Sequence, residues 1–166
     1  LKKKFTEEAI KYHVLPIDDR TIERMNPAIA GRPDVLGSRT SLTLYEGMQG
    51  MMESAFINVK NKSFTLTADV DVPASGGNGA IIVQGGRFGG WALYVKDGVP
   101  GYASNFLGMQ SWAVNASKPL APGKSTIRLD FAYDGGGPGK GGTGSLYVND
   151  EKVGEGRIER TQAMIF

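Results

Sequence analysis

The chain has 166 residues, a length typical of one domain, or of one domain with a short attachment. Its 24 glycines are about double the usual share, and with 8 prolines they favour many turns over long helices. A formal net charge of +2 is too small to argue for a nucleic-acid partner. The absence of cysteine excludes disulfides, thiolate metal sites and a cysteine nucleophile.

The sequence also shows neither the pattern of a membrane-spanning segment nor that of a signal peptide. No run approaches the ~18 apolar residues of a membrane-spanning helix, so we expect no membrane span. No apolar signal-peptide core follows the cationic start. Because the chain begins at Leu1 and not at methionine, we expect it to be a piece of a longer protein.

Residues 1–34 are predicted to form a short helix followed by an irregular connector. Four apolar side chains recur at helical spacing within residues 1–14: Leu1, Phe5, Ala9 and Tyr12. Pro16 ends this helix, since the residue before a proline avoids helical geometry. A further turn over residues 21–25, capped by Asp18-Asp19, precedes the proline- and glycine-containing connector.

Residues 35–166 have the pattern of a β-sandwich. Residues 64–72 and 126–133 alternate apolar and polar side chains, which is typical of strands with one buried face. Six more short strands are predicted at Ala80–Gln84, Trp91–Lys96, Tyr102–Phe106, Ser111–Asn115, Ser145–Asn149 and Lys152–Arg157. Asp97-Gly98 is a strong hairpin signal, and no helix intervenes to make parallel units. The pattern predicts an all-β antiparallel sandwich or barrel.

A glycine-rich segment, residues 135–142, formally contains the G-x-G-x-x-G pattern of dinucleotide-binding loops. That pattern needs a following helix to face the pyrophosphate, whereas residues 143–148 have the pattern of a strand. We therefore interpret the segment as a mobile connection between strands. The alternative is a backbone that approaches a partner closely, as glycine permits.

The acidic residues and the single histidine give weak support for catalysis. Asp69 and Asp71 share one face of a predicted strand, but it is the wet face, where a hydrolytic carboxylate pair lacks a cleft. His13 is the only histidine, and without cysteine a zinc site is close to excluded. No acidic loop has the spacing of a calcium site. We predict no catalytic and no metal-binding residue in this chain.

An aromatic cluster in the middle of the chain suggests sugar binding. Flat rings could stack on sugars while amide and guanidinium groups bind hydroxyls. The candidate ligand-binding residues are Arg87, Trp91, Asn105 and Trp112. The favoured alternative is that both tryptophans pack in the core, because periodicity alone does not say which rings face inward.

Four longer runs carry a family resemblance: YHVLPIDDR (12–20), NPAIAGRP (26–33), GGRFGGW (85–91) and FAYDGGG (131–137). In order and spacing they resemble the region that follows the catalytic domain in large bacterial arylsulfatases. The resemblance spans essentially the whole chain. It implies a non-catalytic C-terminal β-sandwich, similar to the jelly rolls of concanavalin A-like lectins and glucanases, and truncated at its C-terminus.

The resemblance implies that the catalytic machinery lies outside this chain. The parent enzyme would hydrolyse sulfate esters with a formylglycine, made from the cysteine of a C-x-P-x-R motif, and with a calcium ion. This chain has no cysteine, so that motif is not here. The implied partner is the upstream catalytic domain, and the compartment stays open between bacterial cytoplasm and periplasm. A carbohydrate-binding module and a free-standing glucanase-like enzyme are the alternatives.

Overall fold

The computed structural model describes residues 1–17 and 35–164, which belong to two compact units, residues 1–58 and 59–166. The sequence placed the start of the sandwich at residue 35, whereas the described residues 35–58 contain no strand. They hold one short 3-10 helix, Glu53–Ala55. Gly47 and Gly50 have φ of 84° and 67°, a left-handed geometry that interrupts an extended backbone.

The first unit begins with the helix α1, Lys2–Lys11. It is shorter than the predicted span of residues 1–14, because His13 adopts a left-handed φ of 55° just beyond the Tyr12 cap. Within the described part of this unit only Ala9 is buried. The predicted turn over residues 21–25 and the predicted connector lie outside the described residues.

The second unit contains all eight predicted strands. Their observed bounds are β1 Phe64–Val72, β2 Gly79–Gly86, β3 Gly89–Lys96, β4 Val99–Phe106, β5 Gln110–Asn115, β6 Gly123–Tyr133, β7 Gly142–Val148 and β8 Glu151–Ile158. One sheet has the strand order β1-β6-β7-β8, and the other has β2-β3-β4-β5. Within each sheet, neighbouring strands are antiparallel, which confirms the all-β sandwich.

Turn chemistry fixes the strand register. Asp97 and Gly98 have φ of 52° and 78°, so the Asp-Gly hairpin signal is confirmed. Asn149 and Asp150 also have positive φ, 49° and 66°, between β7 and β8. Asn and Asp tolerate this region better than other residues with side chains, which explains their positions in two-residue turns.

The core lies between the inner faces of the two sheets. Leu129 and Leu146 of one sheet and Leu93 of the other are fully buried. Phe64 and Phe131 stack at 5.2 Å within the first sheet. Phe64 also meets Trp91 of the opposite sheet at 6.1 Å, so aromatic rings join the two layers.

Glycines on β8 bring the two sheets together along one side. A Cβ at Gly154 would lie 2.5 Å from the backbone oxygen of Asn115, and one at Gly156 would lie 2.9 Å from the Val114 side chain. The Ser117 N–H donates a hydrogen bond to the Val153 carbonyl at 3.0 Å. Strand β5 therefore packs directly on β8 because β8 lacks side chains where the backbones meet.

Candidate functional site

The structure places the four sequence-predicted ligand-binding residues in two different environments. Trp91 is a core residue with only 6% of its surface exposed. Its indole N–H donates a hydrogen bond to the Gln84 side-chain oxygen at 3.1 Å, and its ring lies 6.4 Å from Tyr102. Because the side chain is almost fully buried, the structure favours the core interpretation for this tryptophan.

Trp112 shares an inner-face row with Trp91 but lies at the sheet edge. Ser104 pairs with Trp91 on one side and with Trp112 on the other. Ser104 is buried, whereas Trp112 on the edge strand β5 is half-buried. Of the two tryptophans, Trp112 is the one that keeps ring surface for a ligand, and its sugar-binding role stays a prediction.

Arg87 and Asn105 are brought together by two adjacent turns of the second sheet. The Asn105 amide donates hydrogen bonds to the carbonyls of Gly86 and Arg87, both at 2.9 Å. Its side-chain oxygen accepts the Gly108 N–H at 3.0 Å. Asn105 therefore clamps the β2–β3 turn to the β4–β5 turn and has a positioning role. The Arg87 side chain is exposed, 5.6 Å from the Phe88 ring.

The clamped turns present exposed apolar side chains, of which the sequence had suggested a role only for Phe88, as a member of the aromatic cluster. Phe88 and Met109 are 71% and 70% exposed, and Leu107 is 41% exposed. Leu107 has a φ of 55°, a left-handed conformation that costs a side-chain-bearing residue energy. A leucine is not a turn signal, so the Leu107-Gly108 turn could not be read from composition.

Asp69 and Asp71 lie on the outer face of the first sheet. Both are exposed, and the Thr126 hydroxyl donates a hydrogen bond to Asp69 at 2.7 Å. They border an open depression of about 480 Å³ together with Lys124 and Asn149. Both aspartates lie on an exposed strand face, so this surface does not offer the enclosed carboxylate pair that glycoside hydrolysis uses.

The glycine loop between β6 and β7 is held by hydrogen bonds, which differs from the predicted mobile connection. Tyr133 donates its hydroxyl proton to the Gly137 carbonyl at 2.5 Å and accepts the Lys140 N–H at 2.9 Å. Asn61 accepts the Gly139 N–H at 2.8 Å, and Thr161 donates to the Lys140 carbonyl at 2.7 Å. Asn61 and Thr161 are distant from the loop in sequence, so no local pattern reveals these two contacts. Strand β7 follows the loop, as predicted, and leaves no helix for a pyrophosphate.

An ion pair fastens the base of this loop. The two terminal guanidinium nitrogens of Arg157 donate hydrogen bonds to the Asp134 carboxylate, one of them at 2.7 Å. The hydrogen bond from Arg157 holds the pKa of Asp134 below its usual value, and Asp134 in turn raises the pKa of Arg157. Such a two-pronged pair fixes geometry better than a single contact does.

This pair predicts a pH dependence of stability. Because the pKa of Asp134 is lowered in the folded protein, its contribution is present above the ordinary value of 3.8 and is lost as pH falls further. We expect Asp134→Asn to lower the free energy of unfolding at neutral pH and to lose this effect in acid. Urea unfolding at several pH values from 7 to 3 measures the difference in the free energy of unfolding between the variant and the unchanged chain. The exposed Asp71→Asn is the control, and an equal, pH-independent effect of both variants would contradict the assignment.

A small cavity lies beside the aromatic cluster. It has a volume of about 20 Å³, enough for one water molecule. Its lining includes Trp91, Tyr102, Ser104 and Gln162. Burial raises the pKa of the Tyr102 hydroxyl, so this group stays protonated at ordinary pH. The cavity is a packing feature and is too small for a sugar or a nucleotide.

The other side chains that could act in catalysis or bind a metal do not form a site among the described residues. His13 is exposed in the first unit. Across residues 1–17 and 35–164, no three histidine, cysteine or acidic side chains come together in a way that could hold a metal ion. No helix among these residues is long and apolar enough to cross a membrane.

Comparison with known proteins adds no identification. No protein-family model, curated protein or solved structure matches the chain. The described residues 59–164 form a β-sandwich module.

Proposed function

We propose that this chain is a non-catalytic C-terminal β-sandwich region of an arylsulfatase, which packs on the upstream catalytic domain through residues 1–17 and 35–58 of its first unit. The observation that supports the proposal is that this unit leaves most of its large apolar side chains exposed to solvent. Its described residues bury only Ala9, yet they expose many large apolar side chains. These are Leu1, Phe5, Ile10, Tyr12, Val14, Leu15, Ile17, Val35, Tyr45, Met48, Met51 and Met52. Apolar surface on this scale is typical of an interface.

The sulfatase part of the proposal rests on the resemblance of the four sequence runs. The sandwich would supply no group to the reaction, since the chain lacks the cysteine from which formylglycine is made. The described residues offer no acidic cluster that fits a calcium ion, so both groups would belong to the upstream domain. Hydrolysis of sulfate esters is thus proposed for the parent enzyme alone.

Two variants of helix α1 test the docking. Phe5 is exposed, so Phe5→Asp should leave the thermal unfolding of the isolated chain unchanged. In the full-length enzyme the same change should lower the midpoint of unfolding by several degrees, because it places a charge in a buried interface. Lys3→Asp is the matched control, two residues away and on the opposite helix face.

Activity measurements complete this test. The isolated chain should not hydrolyse an aryl sulfate, and the full-length enzyme should. Equal stability of both full-length variants would overturn the docking. Hydrolysis by the isolated chain would overturn its non-catalytic role.

Glycan binding is the second candidate function, favoured by the half-buried position of Trp112 on the edge strand β5, which leaves part of this residue accessible. It predicts that Trp112→Ala abolishes binding of the chain to an oligosaccharide array while the fold stays intact. Unchanged binding by Trp112→Ala would remove this candidate.

A further inference from the structure

One end of the sandwich gathers three connections that are far apart in sequence. The β2–β3 turn and the β4–β5 turn emerge there, joined by Asn105. The β6–β7 glycine loop emerges beside them, since Thr161 bonds that loop and the neighbouring Gln162 approaches Gly89. We call this the loop end.

The apolar side chains of the loop end stand out from turns and not from a flat face. Phe88 projects from one turn, and Leu107 and Met109 project from the next. The triple hydrogen bonding of Asn105 fixes the two turns relative to each other. A preformed arrangement of this kind loses little conformational entropy when it binds.

Unpaired cations lie at the same end of the sandwich as these apolar side chains. Exposed basic residues at this end are Lys62, Arg87, Lys140 and Arg160. None of the four forms an ion pair with any residue that the structure describes. Asp134 and Glu159 also lie here, but both carboxylates are paired with Arg157.

The opposite end has a different charge pattern. Its turns and strand ends carry the exposed acids Asp71, Asp97, Asp150 and Glu151, interspersed with lysines. The small net charge of +2 is therefore unevenly distributed: one end of the sandwich is basic, and the other carries both acidic and basic side chains. This separation arises from the topology, because it depends on which turns share an end.

We propose that the loop end is a docking surface for an anionic lipid bilayer, with Phe88, Leu107 and Met109 entering the interface and the cations meeting lipid phosphates. Apolar side chains that project from turns fit a deformable partner such as a bilayer, since a protein partner would have to offer a matching recess. Apolar side chains flanked by cations are the chemistry that binds anionic membrane surfaces. A soluble polyanion would satisfy the cations but not the apolar tips.

Fluorescent labelling tests this directly, because the chain has no cysteine and a single introduced thiol labels one site. Met109→Cys carries an environment-sensitive nitrobenzoxadiazole dye at the loop end. Val83→Cys, exposed in the middle of β2, carries the same dye as the control. The probe is vesicles of phosphatidylcholine containing about one third phosphatidylglycerol, with pure phosphatidylcholine for comparison.

We expect a blue shift and a several-fold gain in emission at position 109 on the anionic vesicles, with no change at position 83. Phe88→Ser should weaken partition about tenfold, and Lys62→Gln with Lys140→Gln should do so by a similar factor. Replacement of Lys2, Lys3 and Lys4 by glutamine should leave partition unchanged.

Several results would overturn the proposal. One is an unchanged emission of the dye at position 109 when anionic vesicles are added. This result would overturn the proposal even if the chain bound soluble polyphosphate, because the ligand would then be a soluble polyanion and not a bilayer. Another is an equal response at position 83. A third is partition that is lost with the helix α1 lysines and survives Phe88→Ser, because that would assign the binding to the first unit.

Discussion

Trp91→Ala should destabilise the sandwich by about 3–5 kcal/mol, the range for removing a large buried aromatic side chain. Trp91 is only 6% exposed and contacts Phe64 across the sheets and Tyr102 within its own sheet. Its loss would also leave the Gln84 amide without the indole N–H. Urea unfolding followed by circular dichroism measures the change in the free energy of unfolding.

Trp112→Ala is the matched control for this prediction. It removes the same side chain from the same inner-face row, but from a half-buried position on an edge strand. We expect a loss of less than half that of Trp91→Ala. If Trp91→Ala cost less than Trp112→Ala, the core role of Trp91 would be wrong, and its sequence-predicted role in ligand binding would gain weight.

Gly90→Ala should cost about 3 kcal/mol or more, because it combines backbone strain with overpacking. Gly90 has a φ of 143°, which residues with side chains rarely adopt. A Cβ there would lie 2.2 Å from the Gln84 carbonyl oxygen, so the β2–β3 hairpin would have to open. Gly90 precedes Trp91, and an opened hairpin would also disturb the core.

Gly86→Ala, in the same hairpin, is the control. A Cβ at Gly86 meets nothing within 4 Å, and its φ is not positive. This change should alter stability by about 1 kcal/mol or less. Thermal unfolding of both variants decides the point, and similar midpoints for the two would contradict the packing described for Gly90.

Local rules were sufficient for the strands. The alternation over residues 64–72 predicted β1 to the residue, and Asp97-Gly98 predicted its hairpin because both positions need positive φ. Period-two patterning identified β1 and β6, and turn signals between short runs identified the other six strands.

Surfaces were harder to predict, because they depend on contacts between segments that are distant in sequence. Nothing local says that Asn61 binds the glycine loop or that Asn105 joins two turns. The inward direction of Trp91 and the exposure of Phe88 depend on how the hairpins pack. The charge difference between the two ends exists only once the topology is known.

Sequencing the reading frame before Leu1 and after Phe166 would test whether this chain is part of a sulfatase. We expect an upstream frame of several hundred residues that contains C-x-P-x-R, which would make this chain the sandwich region of a sulfatase. A start codon immediately before Leu1 would contradict it. The chain would then be a stand-alone β-sandwich, with glycan binding as the leading hypothesis.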